Sequence, residues 1–134
     1  MHFRDYILYL FLCASVCGCN QGQDTVKTRI LRQKTIQELT LYVEATRLCL
    51  TDCTNRTLIV SNLPGSLLKN PGVANWKGPY FRGSSSDVDA YGTRIRFNLV
   101  NGQRLLSARS AGPDRQFETD DDLEVTGKIE GVSL

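Results

Sequence analysis

From Asp24 to Leu50 the chain carries neither glycine nor proline. A stretch of that length without the two strongest helix breakers is predicted to form one long helix. Asp24 is the expected N-cap, a role Thr25 can share. Leu39, Val43, Thr46 and Leu50 fall on one stripe, with Leu41, Ala45 and Leu48 beside them. The earlier turns hold only Val26, Ile30 and Leu31 among polar neighbours. The apolar half is therefore expected to pack on a sheet, and the polar half to project as a stalk. A helix that binds a partner would carry a similar stripe, but an amphipathic helix more often serves its own domain.

The sheet is predicted downstream. Arg94 to Val100 alternates, with Ile95, Phe97 and Leu99 on one face and Arg94, Arg96 and Asn98 on the other. Asn101-Gly102 is a strong hairpin signal, the pair favoured in a type I′ turn. Gln103 to Arg109 is the expected return, with Leu106 and Ala108 continuing the buried face, and Leu123 to about Ile129 a last short strand. Between helix and sheet, Leu63 to Leu68 reads as a helical turn begun at Pro64. Asn70-Pro71-Gly72 reads as a turn and Ser84-Ser85-Ser86 as a flexible bend. One long N-terminal helix packed on a small antiparallel sheet is an α+β fold.

The 134 residues suffice for one domain with a modest core. The formal net charge of +2 comes from scattered lysines and arginines, which argues against a nucleic-acid partner. The one histidine is His2. A chain without another histidine lacks a Ser-His-Asp or Cys-His mechanism and the usual mixed zinc sites. No small-molecule substrate is marked by any motif, and the expectation is a protein that is not an enzyme.

Tyr6 to Cys17 is apolar, too short to cross a bilayer and of the length of a signal-peptide core. The residues that follow, Val16-Cys17-Gly18-Cys19-Asn20, resemble a bacterial lipoprotein box. That resemblance implies a leader over residues 1–18, a lipid on Cys19, a tether over 19–24 and a domain over 25–134. Plain secretion and a short uncleaved anchor are the alternatives. A lipid would hold the protein on a membrane without a spanning helix, on the periplasm-facing side of the bacterial envelope, with the outer membrane preferred because Asn20 is no firm inner-membrane retention signal. Cys49 and Cys53, at the helix end, are expected to form a disulfide in such an exported compartment. Their spacing suits neither a redox motif nor, without histidine, a zinc site.

The segment Ser110 to Leu123 gathers Asp114, Asp120, Asp121 and Asp122 behind a Gly-Pro turn. Oxygen-only donors of this kind suit a hard cation, calcium above all. A solvated acidic loop without an ion has the same spacing.

Three motifs in order then carry a resemblance. Trp76-Lys77-Gly78-Pro79-Tyr80, Asp89-Ala90-Tyr91-Gly92-Thr93, and Ser110-Ala111-Gly112-Pro113-Asp114 with Thr119-Asp120-Asp121-Asp122-Leu123 resemble the C-terminal domain of the major pseudopilin family of type II secretion systems. The family's pattern has Trp-x-Gly-Pro-Tyr, Asp-Pro-Trp-Gly-Asn and Ser-x-Gly-x-Asp…Asp-Asp-Ile at these places. The resemblance implies a pseudopilin-like fold and a calcium loop with Asp114, Asp121 and Asp122 as ligands and Asp120 as a secondary one. Arg115 and Glu118 stand where the family prefers glycine. The family's long apolar N-terminal helix is replaced here by the polar run after Cys19, so entry into a pseudopilus through the usual helical core is not expected. The implied function is a calcium-binding, membrane-tethered structural protein of the bacterial envelope, associated with type II secretion or type IV pilus-like machinery. The alternative is a stand-alone envelope lipoprotein that binds a ligand or surface with a borrowed fold.

Overall fold

A computed structural model describes the backbone of residues 3–82, 86–100, 102 and 104–130, with side chains described from Thr25 onward. The chain divides into two compact units, Met1–Leu31 and Arg32–Leu134. One helix, α1 (Phe3–Asp52), enters both. The expected cap at Asp24 is not a helix start: Asp24 and the segment read as a tether are helix interior. The reason is local. Gly18 and Gly22 are the only breakers in the run, and each costs only about 1 kcal/mol relative to alanine. Among the described residues no helix is long and apolar enough to cross a membrane.

In the second unit, α1 buries Thr35, Leu39, Tyr42, Val43, Ala45, Thr46, Cys49 and Leu50. These positions recur at the helical period, so the predicted stripe of Leu39, Val43, Thr46 and Leu50 is the core face. Leu41 and Leu48, expected beside it, are instead 58% exposed each. The buried arc is narrower than the sequence suggested on that side, and Tyr42 lies within it. Its ring stacks on Phe81 at 5.3 Å and meets Phe97 edge-on at 5.8 Å, and its hydroxyl donates to the Ser86 carbonyl at 2.6 Å.

The sheet has three antiparallel strands in the order β1 (Arg96–Val100), β2 (Leu105–Ser110), β3 (Leu123–Lys128). Phe97 pairs with Ala108, Leu99 with Leu106, Val125 with Ala108 and Gly127 with Leu106. Period-two alternation places all of these on one face. A Cβ on Gly127 would lie 2.5 Å from Val43 Cγ1, so the helix approaches β3 where that strand has no side chain. The architecture is the expected α+β arrangement of one long helix on a small antiparallel sheet.

The hairpin differs in length from the two-residue turn predicted at Asn101-Gly102. β1 ends at Val100, β2 begins at Leu105 and those two residues are paired, so residues 101–104 form the connection. Asn101 and Gln103 lie outside the described residues; Gly102 has φ +64°. A two-residue turn would set Arg104 opposite Leu99 on the packed face. The longer connection sets Leu106 there.

Between helix and sheet lie a short helix, α2 (Arg56–Ser61), capped by Asn55 accepting from the Leu58 amide at 3.1 Å, and a 3-10 turn at Gly65–Leu67 behind Pro64. The predicted turn at Asn70 is held by its side chain, which accepts from the Gly72 and Val73 amides, each at 2.9 Å. The predicted serine bend falls largely on Ser84 and Ser85, which lie outside the described residues. Cys49 and Cys53, the pair expected to form a disulfide, are free thiols in this structure with their Sγ atoms 4.0 Å apart. The Cys53 amide donates to the Cys49 carbonyl at 3.0 Å, which stacks the two residues one helical turn apart.

Candidate functional site: the acidic loop and its supports

The loop Ala111–Asp122 joins the central strand β2 to the edge strand β3, so its two ends are held side by side by the pair Ser110–Leu123. Its path is set by three left-handed residues, Gly112 (φ +64°), Arg115 (φ +60°) and Glu118 (φ +70°). At Gly112 a side chain has no room: a Cβ would lie 2.2 Å from the Asp121 carbonyl oxygen and 3.1 Å from its Oδ2. This glycine brings Asp121 up against the Gly112–Asp114 turn.

The carboxylates hold the loop from inside. Asp121 Oδ2 accepts from the Asp114 amide at 3.0 Å and Oδ1 from the Thr119 hydroxyl at 2.7 Å. Those bonds favour the charged form, and its carboxyl is held below the usual carboxylate range, first by Thr119 and then by the Asp114 amide. Asp114 Oδ1 accepts from the Gln116 amide at 2.8 Å. Asp122 Oδ2 accepts from the Glu118 amide at 2.9 Å and meets Arg109 Nη2 at 2.6 Å. The Asp122 side chain is 6% exposed, so its charge is offset by the guanidinium rather than by solvent. Asp120 is exposed.

Two arginines on the outer face of the sheet, paired across β1 and β2, receive the loop. Arg109 Nη1 also reaches Glu118 at 3.2 Å. The Arg96 guanidinium carbon stands 3.7 Å from the centroid of the Phe117 ring, a cation–π contact. Sequence reasoning missed both arginines: Arg96 read only as the polar side of an alternating strand, and Arg109 only as the end of the return strand. The signal available was their neighbourhood: two cations opposite each other need acids or π-faces nearby.

On the other side, Asp89 supports the start of the loop. It is 5% exposed, its Oδ1 accepts from the Tyr91 and Thr93 amides at 2.9 Å each, and its Oδ2 accepts from the Ser110 hydroxyl. Ser110 Oγ in turn accepts from the Gly112 amide at 3.2 Å. The second and third sequence motifs are thus joined through one buried carboxylate.

The first motif sits elsewhere, at the end of α1. Trp76 and Tyr80 meet edge-on at 5.7 Å across Gly78, where a Cβ would lie 2.5 Å from the indole. Trp76 Nε1 donates to the Ser66 carbonyl at 2.9 Å. Asp52 ends the helix, where a carboxylate faces the negative end of the helix dipole. Lys77 Nζ at 2.9 Å and the Tyr80 hydroxyl at 2.8 Å offset that charge. Their hydrogen bonds, with Lys77 the larger cause, lower the Asp52 carboxyl below its ordinary range.

An all-oxygen donor set matches a hard cation. Of the expected ligands, Asp121 lies against Gly112 and accepts from the Asp114 amide, while the Asp114 carboxylate accepts from the Gln116 amide. Asp122, also an expected ligand, is paired with Arg109. Among the described residues no three His, Cys, Asp or Glu side chains converge as a ready-made metal cage. Cys19, the expected lipid carrier, lies where side chains are outside the described residues. Comparison of the chain with protein-family models, curated proteins and solved structures finds no match.

Proposed function

We propose that this protein is a membrane-tethered, pseudopilin-like structural protein of the bacterial envelope, with a calcium-responsive loop at Ser110–Leu123 and no catalytic role. The observation that carries the reading is the backbone of that loop. Arg115 and Glu118 are left-handed, the conformation glycine supplies most readily, and they occupy the positions where the resembled family prefers glycine. Left-handed backbone at those two positions is what supports the reading.

Bound calcium would supply positive charge to the carboxylates of Asp114 and Asp121, in the loop where Gly112 lets Asp121 approach the Asp114 amide. Asp122 stays with Arg109 and holds the β3 end of the loop. A lipid on Cys19 would anchor the chain, and the exposed Val26 and Ile30 stand on the helix after it. The partners proposed are the membrane and, by protein contacts, type II secretion or type IV pilus-like machinery.

The test is a thermal melt of the full chain with calcium and with a chelator. Calcium bound to the folded state raises the midpoint by mass action, and Asp121→Ala removes the difference. Identical wild-type melts would dismiss the calcium loop. The anchor is tested separately. Labelled palmitate enters the wild type, and Cys19→Ala releases the chain from membranes; an unlabelled, unanchored wild type would dismiss it.

A further inference from the structure

We infer that Cys49 and Cys53 form an oxidisable pair whose closure to a disulfide locks the C-terminal end of α1 and, through Asp52, the docking of the Trp76–Tyr80 segment. The two sulfurs stand 4.0 Å apart with no group between them, against the about 2.05 Å of a disulfide. Both residues are core: Cys49 is 0% and Cys53 4% exposed. Spaced one turn apart, they bracket Asp52, whose carboxylate holds Lys77 Nζ and the Tyr80 hydroxyl. The Tyr80 amide in turn donates to the Leu67 carbonyl at 2.8 Å. A covalent staple here fixes the helix exit on which those contacts depend.

The reaction needs an external disulfide, such as oxidised glutathione or a thiol–disulfide oxidoreductase. One cysteine thiolate attacks that disulfide and expels one thiolate. The second cysteine then attacks the mixed disulfide and expels the other. Two protons and two electrons leave the pair, and the external disulfide is reduced to two thiols. Either cysteine can make the first attack. Burial, with the Cys53 thiol alongside, pushes the Cys49 thiol up to about 12.

The experiment uses the full chain, treated while folded with oxidised glutathione or with dithiothreitol, then denatured, alkylated and digested with trypsin. Arg47 and Arg56 flank the pair, so both cysteines fall in one peptide, Leu48–Arg56, separate from those of the leader. The oxidised sample should yield that peptide without alkyl groups and lighter by two hydrogens, and the reduced sample should yield it doubly alkylated. Cys49→Ser and Cys53→Ser should each give that peptide without an internal disulfide after the same oxidation. The oxidised wild type should also melt above the reduced one, with a smaller gain in Asp52→Asn. A doubly alkylated peptide after oxidation of the folded chain would overturn the pair. A disulfide that leaves melting unchanged would overturn the coupling to Asp52.

Discussion

Arg109 holds Asp122 at 2.6 Å from across the outer face of the sheet. Arg109 lies on the central strand β2 and Asp122 immediately precedes β3, so the pair ties the loop's return to the strand it left. Truncation as Arg109→Ala leaves an Asp122 side chain that is 6% exposed without its cation and also removes the contact to Glu118. The expected loss is about 2–3 kcal/mol in urea unfolding. Asp122→Asn should lose less, since an amide still accepts from the Glu118 amide. Equal stability of Arg109→Ala and wild type would show that the loop does not lean on this arginine.

The buried carboxylate of Asp89 carries three donors at once. Asp89→Ala strands the Tyr91 and Thr93 amides and the Ser110 hydroxyl, with an expected cost of about 2–4 kcal/mol. Ser110→Ala removes one of those bonds and should cost about 1 kcal/mol. Comparable losses from the two variants would contradict the hub role of Asp89.

Gly127 is where helix and sheet come closest. A methyl group there collides with Val43 Cγ1 at 2.5 Å, so Gly127→Ala is expected to destabilise by about 1–3 kcal/mol through overpacking. Combining it with Val43→Ala makes room, and the double variant should lose less than the sum of the singles. An additive cycle would mean the two residues do not share the contact.

Arg115 is exposed and left-handed at φ +60°. Arg115→Gly relieves that conformation but loosens the unfolded chain, and a small net gain, up to about 1 kcal/mol, is expected. Glu118→Gly relieves φ +70° but gives up the Arg109 contact, so it should gain less. A clear loss in Arg115→Gly would show that the side chain has a structural role of its own.

The pH profile should fall on both sides. Asp52 and Asp121 have lowered folded pKa values, so their contribution is complete above the unfolded carboxylate range of about 4 and is lost as pH drops through the folded values. Tyr80 is raised, first by burial and then by the Asp52 carboxylate it donates to. Its contribution is present below the unfolded tyrosine pKa of about 10 and declines as pH climbs beyond it. Tyr80→Phe should flatten the alkaline limb of a melting curve, and Asp121→Asn the acid limb. Unaltered limbs in both variants would assign the profile to other groups.

The local order of the chain was legible because it depends on nearest neighbours. The stripe from Leu39 to Leu50, the alternation of Ile95, Phe97 and Leu99, the turn residues at Pro64 and Asn70, and the acidic cluster are all visible as period and residue type. The α+β class follows from them, since a one-sided helix and a one-sided sheet must cover each other. Tertiary packing decided the rest. The hairpin length depends on which β2 residue faces Leu99, and apolar Leu106 wins that place over Arg104. Leu41 and Leu48 are exposed while Tyr42 is buried against Phe81 and Phe97, a choice of face that apolarity alone does not make. Asp122 looked equivalent to Asp114 and Asp121, yet among the described residues it alone of the three is paired with a cation, from the preceding strand. Spacing shows which carboxylates are neighbours in the chain. Which charge each one meets depends on strand register, a non-local quantity set by burial.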